Sequence, residues 1–373
     1  MAEKEKGMTY SRAGVDIRGE GDAIRGLRSS LDFVRTGIGA PVELGGHFTG
    51  IIDIGDRYLS LCTDGVGSKI KIAEAMQKWD TIGIDCMAMN VNDMICIGAE
   101  PLAFVDYIAV EDPDPKILSE IGKGLNEGAR QSNVSIIGGE TATLPEIVQG
   151  LDLAGTCLGM VDKDKVITGS GIEPGDVILG LPSSGFHSNG FTLVRKVIEE
   201  NDISLIAPLE EVISSNNWKV RTLYLDYMRD VEEWVSSEGP RVLGDILLEP
   251  TRIYVKEIME LIGKLPAGSI KGMANITGGG LRNLSRMKEN VRFMIDDPFP
   301  VDPVFRLIQV LGRIEEEEMY QTFNMGLGIA VIISGDRSED AMSHLKSYGG
   351  RIIGKVTEGM GVEMGNISFE GYV

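Results

Sequence analysis

The sequence predicts an α/β (α+β) protein of two domains. Three observations carry this: a length of 373 residues, an alternation of apolar runs with helical stretches, and a glycine-, serine- and proline-rich break near residues 165–176. At roughly 100–200 residues per domain, two domains is the natural division. Alternating strand and helix patterns call for mixed layers rather than a bundle or a sandwich. Residues 1–45 are glycine-rich and weakly periodic, which predicts an N-terminal arm, mobile or ligand-ordered. The first domain is then expected over 46–168 and the second over 169–373.

In chain order, HFTGIID and RYLSLCT read as a hairpin closed around Gly55-Asp56. Helices are predicted from Ser68 to about Met76 and from Asp80 to Gly98. PLAFVDYIAV reads as a strand, Pro113 to Ser132 as a helix, VSIIGG as a short buried strand, and LDLAGTCLGMV as another. In the second half DVILGL is a strand, Asn189 to Glu200 a helix, and Pro250 to Gly263 a helix opened by Pro250-Thr251. IKGMANI reads as a strand leading to a glycine turn and short helix. GLGIAVII and RIIGKV are late strands around a helix over Ser338–Ser347. Residues 203–245, with Trp218 and Trp234, read as an insertion with helical pieces.

Hydrophobic residues make up 43% and charged residues 25%, which excludes disordered and fibrous classes. Lys and Arg total 36 against 56 Asp and Glu, a net charge of −20. Such a field repels nucleic acid, and it repels a nucleotide unless local cations or Mg²⁺ reverse the sign in a cleft. Cys62, Cys86, Cys96 and Cys157 sit in apolar stretches without zinc or redox spacing, so reduced core thiols are expected. The polar start MAEKEKGMTY and the lack of any bilayer-length apolar run predict a cytoplasmic protein with no membrane partner.

Five segments carry more polar chemistry than folding requires. TDGVGSK (63–69) ends a strand and enters a helix: Gly65 and Gly67 allow close backbone approach to a ligand, Asp64 could hold a metal and Lys69 a phosphate. A tight turn capped by Asp64 explains the same residues. In DCMAMNVNDMICIGAE, a helix apolar at nearly every angle, Asp85, Asn90, Asn92 and Asp93 fall within roughly a 160° arc at about 100° per residue. Buried carboxylates need a cation, so either a metal–phosphate site or a network with buried Lys or Arg is expected. VSIIGGETATLPE presents Glu140 and Thr141 after two glycines, a way to offer a Mg²⁺ ligand or to make an ordinary turn. LPSSGFHSNGFTLVRK places His187 in a polar glycine loop, where it is a general-base candidate or an idle exposed residue. ITGGGLRNLSR opens a helix bearing Arg282 and Arg286, suited to phosphate. Neither GxGxxG nor GxxxxGK[ST] occurs, so any ATP site has another design.

Together and in order, SRAGVDI, TDGVGSK, DTIGIDCMAMNVNDMICIGAEPLAFVDYIA, GGETATLP, SSGFHSNGFTLVRK, EPTRIYVK, GMANITGGGL and EEEEMYQTFNMGLG resemble the phosphoribosylformylglycinamidine cyclo-ligase (aminoimidazole ribonucleotide synthetase) family, over about Ser11 to Gly328. The resemblance implies a homodimer with an N-terminal, β-barrel-forming, ATP-binding dimerisation domain and a C-terminal mixed α/β layered domain. It implies ATP-driven ring closure of a formylglycinamidine ribonucleotide, with Mg²⁺ held by Asp64, Asp93 and Glu140. It further implies Lys69 and Asn90 near the ATP phosphates, with Gly65, Gly67 and Thr141 in the nucleotide site. His187 is implied as the proton-transfer group and Asp93 as a second catalytic residue, with Gly278, Gly279 and Gly280 close to a phosphate and Asp16 closing over the nucleotide. The chain departs from the family pattern at Asn275, where histidine is usual, at Thr143, where an acid is usual, and at Ser285, where proline is usual. Sister ATP-dependent enzymes of the superfamily and a non-catalytic nucleotide-binding paralogue are the competing readings.

Overall fold

The computed structural model describes residues 7–15, 17–215, 225–238 and 241–372. Two open sheets divide the chain. The first has six strands, in the order β1 (Ala40–Val42), β2 (Gly50–Asp53), β3 (Arg57–Gly65), β6 (Leu151–Asp162), β4 (Glu100–Val110), β5 (Ser135–Thr143). All its pairs are antiparallel except β4 with β5. That parallel pair requires a crossover, supplied by α4 (Pro115–Ser132), which Asp114 caps by accepting from the Lys116 and Ile117 amides.

The second sheet has seven strands, in the order β13 (Ile367–Phe369), β12 (Gly361–Met364), β9 (Arg292–Ile295), β11 (Arg351–Thr357), β7 (Val177–Pro182), β10 (Leu327–Ile333), β8 (Ile270–Asn275). Strand β10 is buried along its whole length, so it reads as a continuous apolar run. The helices are α1 (Ile17–Ser29), α2 (Ile70–Met76), α3 (Ile82–Ile95), α5 (Phe191–Glu200), α6 (Leu209–Ser215), α7 (Leu225–Glu238), α8 (Leu243–Leu247), α9 (Val255–Lys264), α10 (Pro303–Gly312), α11 (Glu316–Thr322) and α12 (Ser338–Leu345).

Helix α3 is the central element. It packs on β3 and β6 of the first sheet, on α4, and on α9 and β8 of the second half. Nearly every residue from Ile82 to Ile95 is buried, as its all-round apolar sequence requires. Gly83 makes the α3–α4 contact possible: a Cβ there would stand 2.2 Å from the Leu125 nitrogen.

Three expectations need correction. The arm over 1–45 is more structured than its weak periodicity predicts: it holds helix α1 and strand β1, and Met8 is buried with its amide donating to the Gly312 carbonyl at 2.9 Å. VSIIGG is no short buried strand; β5 runs on through both glycines to Thr143 and is an exposed edge, paired only with β4. Pro250–Tyr254 is irregular rather than the start of a helix, because its backbone groups are taken up by α3, as described below. The first sheet is not closed: β1 and β5 are free edges, so the chain by itself forms no barrel. The insertion contains α6, α7 and α8, with Trp234 on α7, whereas Trp218 lies outside the described residues. All four cysteines are buried and free. No helix among the described residues is long and apolar enough to cross a membrane.

Candidate active site between the two sheets

The polar arc of α3 divides into two parts with different work. Asp85 and Asn92 are consumed by the non-helical segment Glu249–Tyr254. Asp85 accepts from the Thr251 amide at 2.7 Å and from its hydroxyl at 2.6 Å, and Lys69 Nζ lies 2.9 Å from both carboxylate oxygens. Lys69 also donates to the Glu249 carbonyl at 2.7 Å. Asn92 donates to the Arg252 carbonyl at 2.8 Å and accepts from the Tyr254 amide at 3.0 Å. Lys69 and Asp85 are both fully buried. Burial pushes the Lys69 ammonium down, opposed by the Asp85 carboxylate beside it. Here the buried-network alternative wins. Lys69 is engaged by its own protein, so the expected phosphate contact is corrected to a buttress joining the two halves.

Asn90 and Asp93 occupy the next stripe of the helix and face the end of β3. Asn90 Nδ2 donates to the Cys86 carbonyl at 2.9 Å and to the Asp64 carbonyl at 3.2 Å, while its Oδ1 is buried without a partner. Asp64 accepts from the Gly65 amide at 2.7 Å. Asp93 accepts from Asn275 Nδ2 at 2.8 Å. The departure at Asn275 therefore has a definite consequence, since an amide donor fixes the carboxylate where a histidine would titrate. Burial, with the nearby Asp64 charge adding to it, raises Asp93 to about 7; the Asn275 hydrogen bond and Arg286 oppose this. Asp64 is also raised, by burial.

Sheet register decides which other residues share this face. Asp64 pairs with Gly155, Gly155 with Asp106, and Asp106 with Gly139, so Asp64 and Asp106 point to the same side as α3. Glu140 pairs with Tyr107 in the next row and belongs to the opposite side, whereas Thr141, paired with Ile108, returns to the Asp64 side. The expected trio Asp64, Asp93 and Glu140 is thus corrected: strand alternation carries Glu140 away, because β5 does not end at the glycines. Among the described residues no three carboxylate, imidazole or thiolate groups converge as a metal cage. A Mg²⁺ ion usually keeps several waters and takes one or two carboxylates plus substrate phosphates. The raised, neighbouring Asp64 and Asp93 fit that partial role, together with the orphaned Asn90 Oδ1 nearby. Asp106 joins this face without having stood out in the sequence. Its carboxylate lies over Gly139, where a Cβ would stand 2.5 Å from Oδ1, and burial raises its pKa. The signal was present in AFVDYIA, a carboxylate at the same parity as the buried Phe104 and Ile108.

The histidine loop comes to the same place. Ser68 of the TDGVGSK turn meets Thr192 of α5 at 3.1 Å, and Asn189 Nδ2 reaches Met89 of α3 at 4.0 Å. His187 is not exposed. It is 2% exposed, at φ 59°, and its Nε2 accepts from the Ser184 amide at 3.2 Å. Burial first, then the Lys69 and Arg252 cations, drive it down to about 3. In this arrangement the imidazole holds the loop through the Ser184 amide.

Gly67 adopts φ 70° with open space where a side chain would stand, as a close ligand approach requires. Gly65 has the Leu153 carbonyl 3.4 Å from its would-be Cβ. Of the later turn, Gly278 lies beside Asn189, but Gly279 and Gly280 are filled from within. A Cβ would meet the Tyr372 ring at 2.6 Å and the Tyr320 carbonyl at 2.0 Å, and the Gly280 amide already donates to the Thr277 carbonyl at 2.8 Å. Internal packing, rather than phosphate access, explains those two glycines. Ser285 donates to the Arg282 carbonyl at 2.7 Å, closing the short 3₁₀ turn Gly280–Arg286. Thr143 ends β5. Asp16 lies outside the described residues.

Solved structures share this architecture at low identity: the HypE–HypF complex (TM-score 0.61, 17% identity, 93% of this chain and 98% of that one) and the thiamine monophosphate kinase of Aquifex aeolicus (TM-score 0.54, 15% identity, 95% and 99%). These establish the fold alone. Proteins named phosphoribosylformylglycinamidine cyclo-ligase are far more similar in sequence. That of Methanosarcina barkeri is 46% identical over 354 residues, 95% of this chain and 96% of its own. That of Methanococcus maripaludis is 46% identical over 357 residues, 95% and 94%. Family models for the AIR synthase related protein N-terminal and C-terminal domains match residues 46–161 and 173–365. The chain belongs to the AIR synthase related family, on its phosphoribosylformylglycinamidine cyclo-ligase branch.

Proposed function

We propose that this chain closes the imidazole ring of aminoimidazole ribonucleotide from formylglycinamidine ribonucleotide, converting ATP to ADP and phosphate. An amide oxygen is a poor leaving group. Transfer of the γ-phosphoryl to the formyl oxygen turns it into phosphate, which the amidine nitrogen of the same molecule displaces at high effective concentration. The nucleotide is placed against Gly67, Asp64 and Thr141. Asp64 and Asp93 would hold a Mg²⁺ ion jointly with the phosphates, and that ion supplies charge neutralisation for phosphoryl transfer.

The observation that carries this reading is the buried Asp93 carboxylate, held by Asn275 Nδ2 at 2.8 Å on the helix stripe where Asn90 donates to the Asp64 carbonyl and leaves its own Oδ1 unpartnered. As a ligand of that ion Asp93 acts ionised, in charge placement, while His187 holds its loop and takes no proton. Asp93→Asn and His187→Asn separate the two. The reading expects product formation to fall by at least about a thousandfold in Asp93→Asn and by less than about tenfold in His187→Asn. The reverse order would return proton transfer to His187.

The second copy expected by resemblance has a surface to meet. On the side of the first sheet away from α3, Leu61, Val105 and Tyr107 are exposed, Leu61 by 50%, and β1 and β5 are free edges. A homodimer closing these sheets into an interfacial barrel would cover that face. A non-catalytic paralogue is disfavoured by Asn275, which supports the site rather than dismantling it. The cytoplasm is the compartment that fits this reaction.

A further inference from the structure

Outside the carboxylate face, Arg282 and Arg286 form a second centre. Arg282 is 8% exposed, yet its polar contact is a carbonyl, Gly279 at 3.4 Å. Arg286 donates to the Gly46 carbonyl at 3.2 Å. What surrounds both guanidinium groups is aromatic. The Tyr372 ring centroid is 4.8 Å from the Arg286 guanidinium carbon and 5.8 Å from that of Arg282, and the Phe48 centroid lies 4.2 Å from that of Arg286. Neither guanidinium makes a direct ion pair among the described residues: Glu318 acts on Arg282 and Asp93 on Arg286 only from a distance, and a planar guanidinium is shaped to receive a phosphate or carboxylate. Beside them opens a cleft of about 930 Å³, lined by Ser170, Ser285, Lys288 and Tyr372 as well as by Glu289 and Glu370.

Tyr372 reaches this place because of the β12–β13 hairpin. Phe369 buries its ring as an anchor, β12 packs on the 3₁₀ turn that bears the arginines, and the chain leaves β13 through Glu370 and Gly371. The ring then lies against Gly279, in the volume its missing Cβ vacates. One aromatic side chain thus touches the glycine turn and both cations at once.

We infer that Tyr372 is a positioning residue that holds Arg282 and Arg286 to receive the phosphate group of the ribonucleotide, setting affinity for that substrate and not the rate of ring closure. The inference rests on the function proposed above. Its test uses Tyr372→Ala, Tyr372→Leu and Tyr372→Phe in the full chain. Alanine and leucine each raise KM for the ribonucleotide about tenfold, the ~1.4 kcal/mol of a partly desolvated cation–aromatic contact, while kcat and KM for ATP stay within about twofold. Phenylalanine keeps the π-face and restores KM. Rescue by leucine, or a common fall in kcat with no change in KM, would show a ring that only fills space and would overturn the inference.

Isothermal calorimetry with inorganic phosphate, at saturating ADP, separates this inference from the reaction itself. If the wild type forms no aminoimidazole product yet binds phosphate, and Tyr372→Ala weakens that binding about tenfold, the ring-closure reading falls and the role of Tyr372 stands. Equal phosphate affinity in the two proteins, or none in the wild type, overturns it.

Discussion

Replacing Lys69 with methionine is the sharpest way to separate a structural lysine from a nucleotide-binding one. Lys69 Nζ sits 2.9 Å from Asp85, donates to the Glu249 carbonyl and is fully buried, and methionine fills nearly the same length without the charge. Asp85 would keep only the Thr251 amide and hydroxyl. Breaking one side of a buried ion pair costs about 3–5 kcal/mol, because the remaining charge stays desolvated. For a domain of 150–250 residues, at ~2–4 °C per kcal/mol, that is roughly 6–20 °C in Tm. The double variant Lys69→Met/Asp85→Asn should recover part of the loss, since no lone charge is left behind. Calorimetry gives the stability and initial rates give KM for ATP. A Tm within about 2 °C of wild type, with KM for ATP raised more than tenfold, would refute the buttress and put Lys69 on the phosphates.

Further outcomes follow from the same geometry. His187 binds its proton in the unfolded chain near pH 6.5 but in the native protein only near pH 3, so its contribution to stability is complete above about 6.5 and is lost as pH falls. His187→Asn, which tolerates the positive φ, should remove on the order of 3 kcal/mol of the acid destabilisation between pH 6.5 and 4, read by urea unfolding at each pH; an unchanged acid limb would show that His187 is not held neutral. Gly67→Ala places a side chain at φ 70° in the open approach, so it should cost about 1 kcal/mol of stability and weaken ATP binding in a titration; unaltered affinity would remove Gly67 from the nucleotide site. Leu61→Glu puts a charge on the exposed sheet face and should shift the protein from dimer to monomer in sedimentation, and a wild type that is already monomeric would contradict the covered face.

Much of the architecture was legible in local pattern. The β2–β3 hairpin, the buried α3, and β7, β10 and β11 follow from period, turn residues and apolar runs. What failed to show was long-range. The sequence cannot reveal that Glu249–Tyr254 returns to satisfy Asp85 and Asn92, so Pro250-Thr251 reads as a helix start and Lys69 as a free cation. Strand parity could have removed Glu140 from the metal set, but only once β5 was known to pass through Gly138 and Gly139 without ending. His187 looked polar and open because its neighbours are serines and glycines; tertiary packing buries it. Asp106 was hidden because one carboxylate in an apolar strand has no local mark until its cross-strand partners are known.

The central claim is that the carboxylates facing Asn90 couple ATP cleavage to ring closure. The direct test is stoichiometry: wild-type protein is given formylglycinamidine ribonucleotide, ATP and Mg²⁺, and aminoimidazole product and ADP are measured in the same samples. The account predicts one ADP per product in the wild type and neither from Asp93→Asn. ADP released without product, or full turnover by Asp93→Asn, would contradict it.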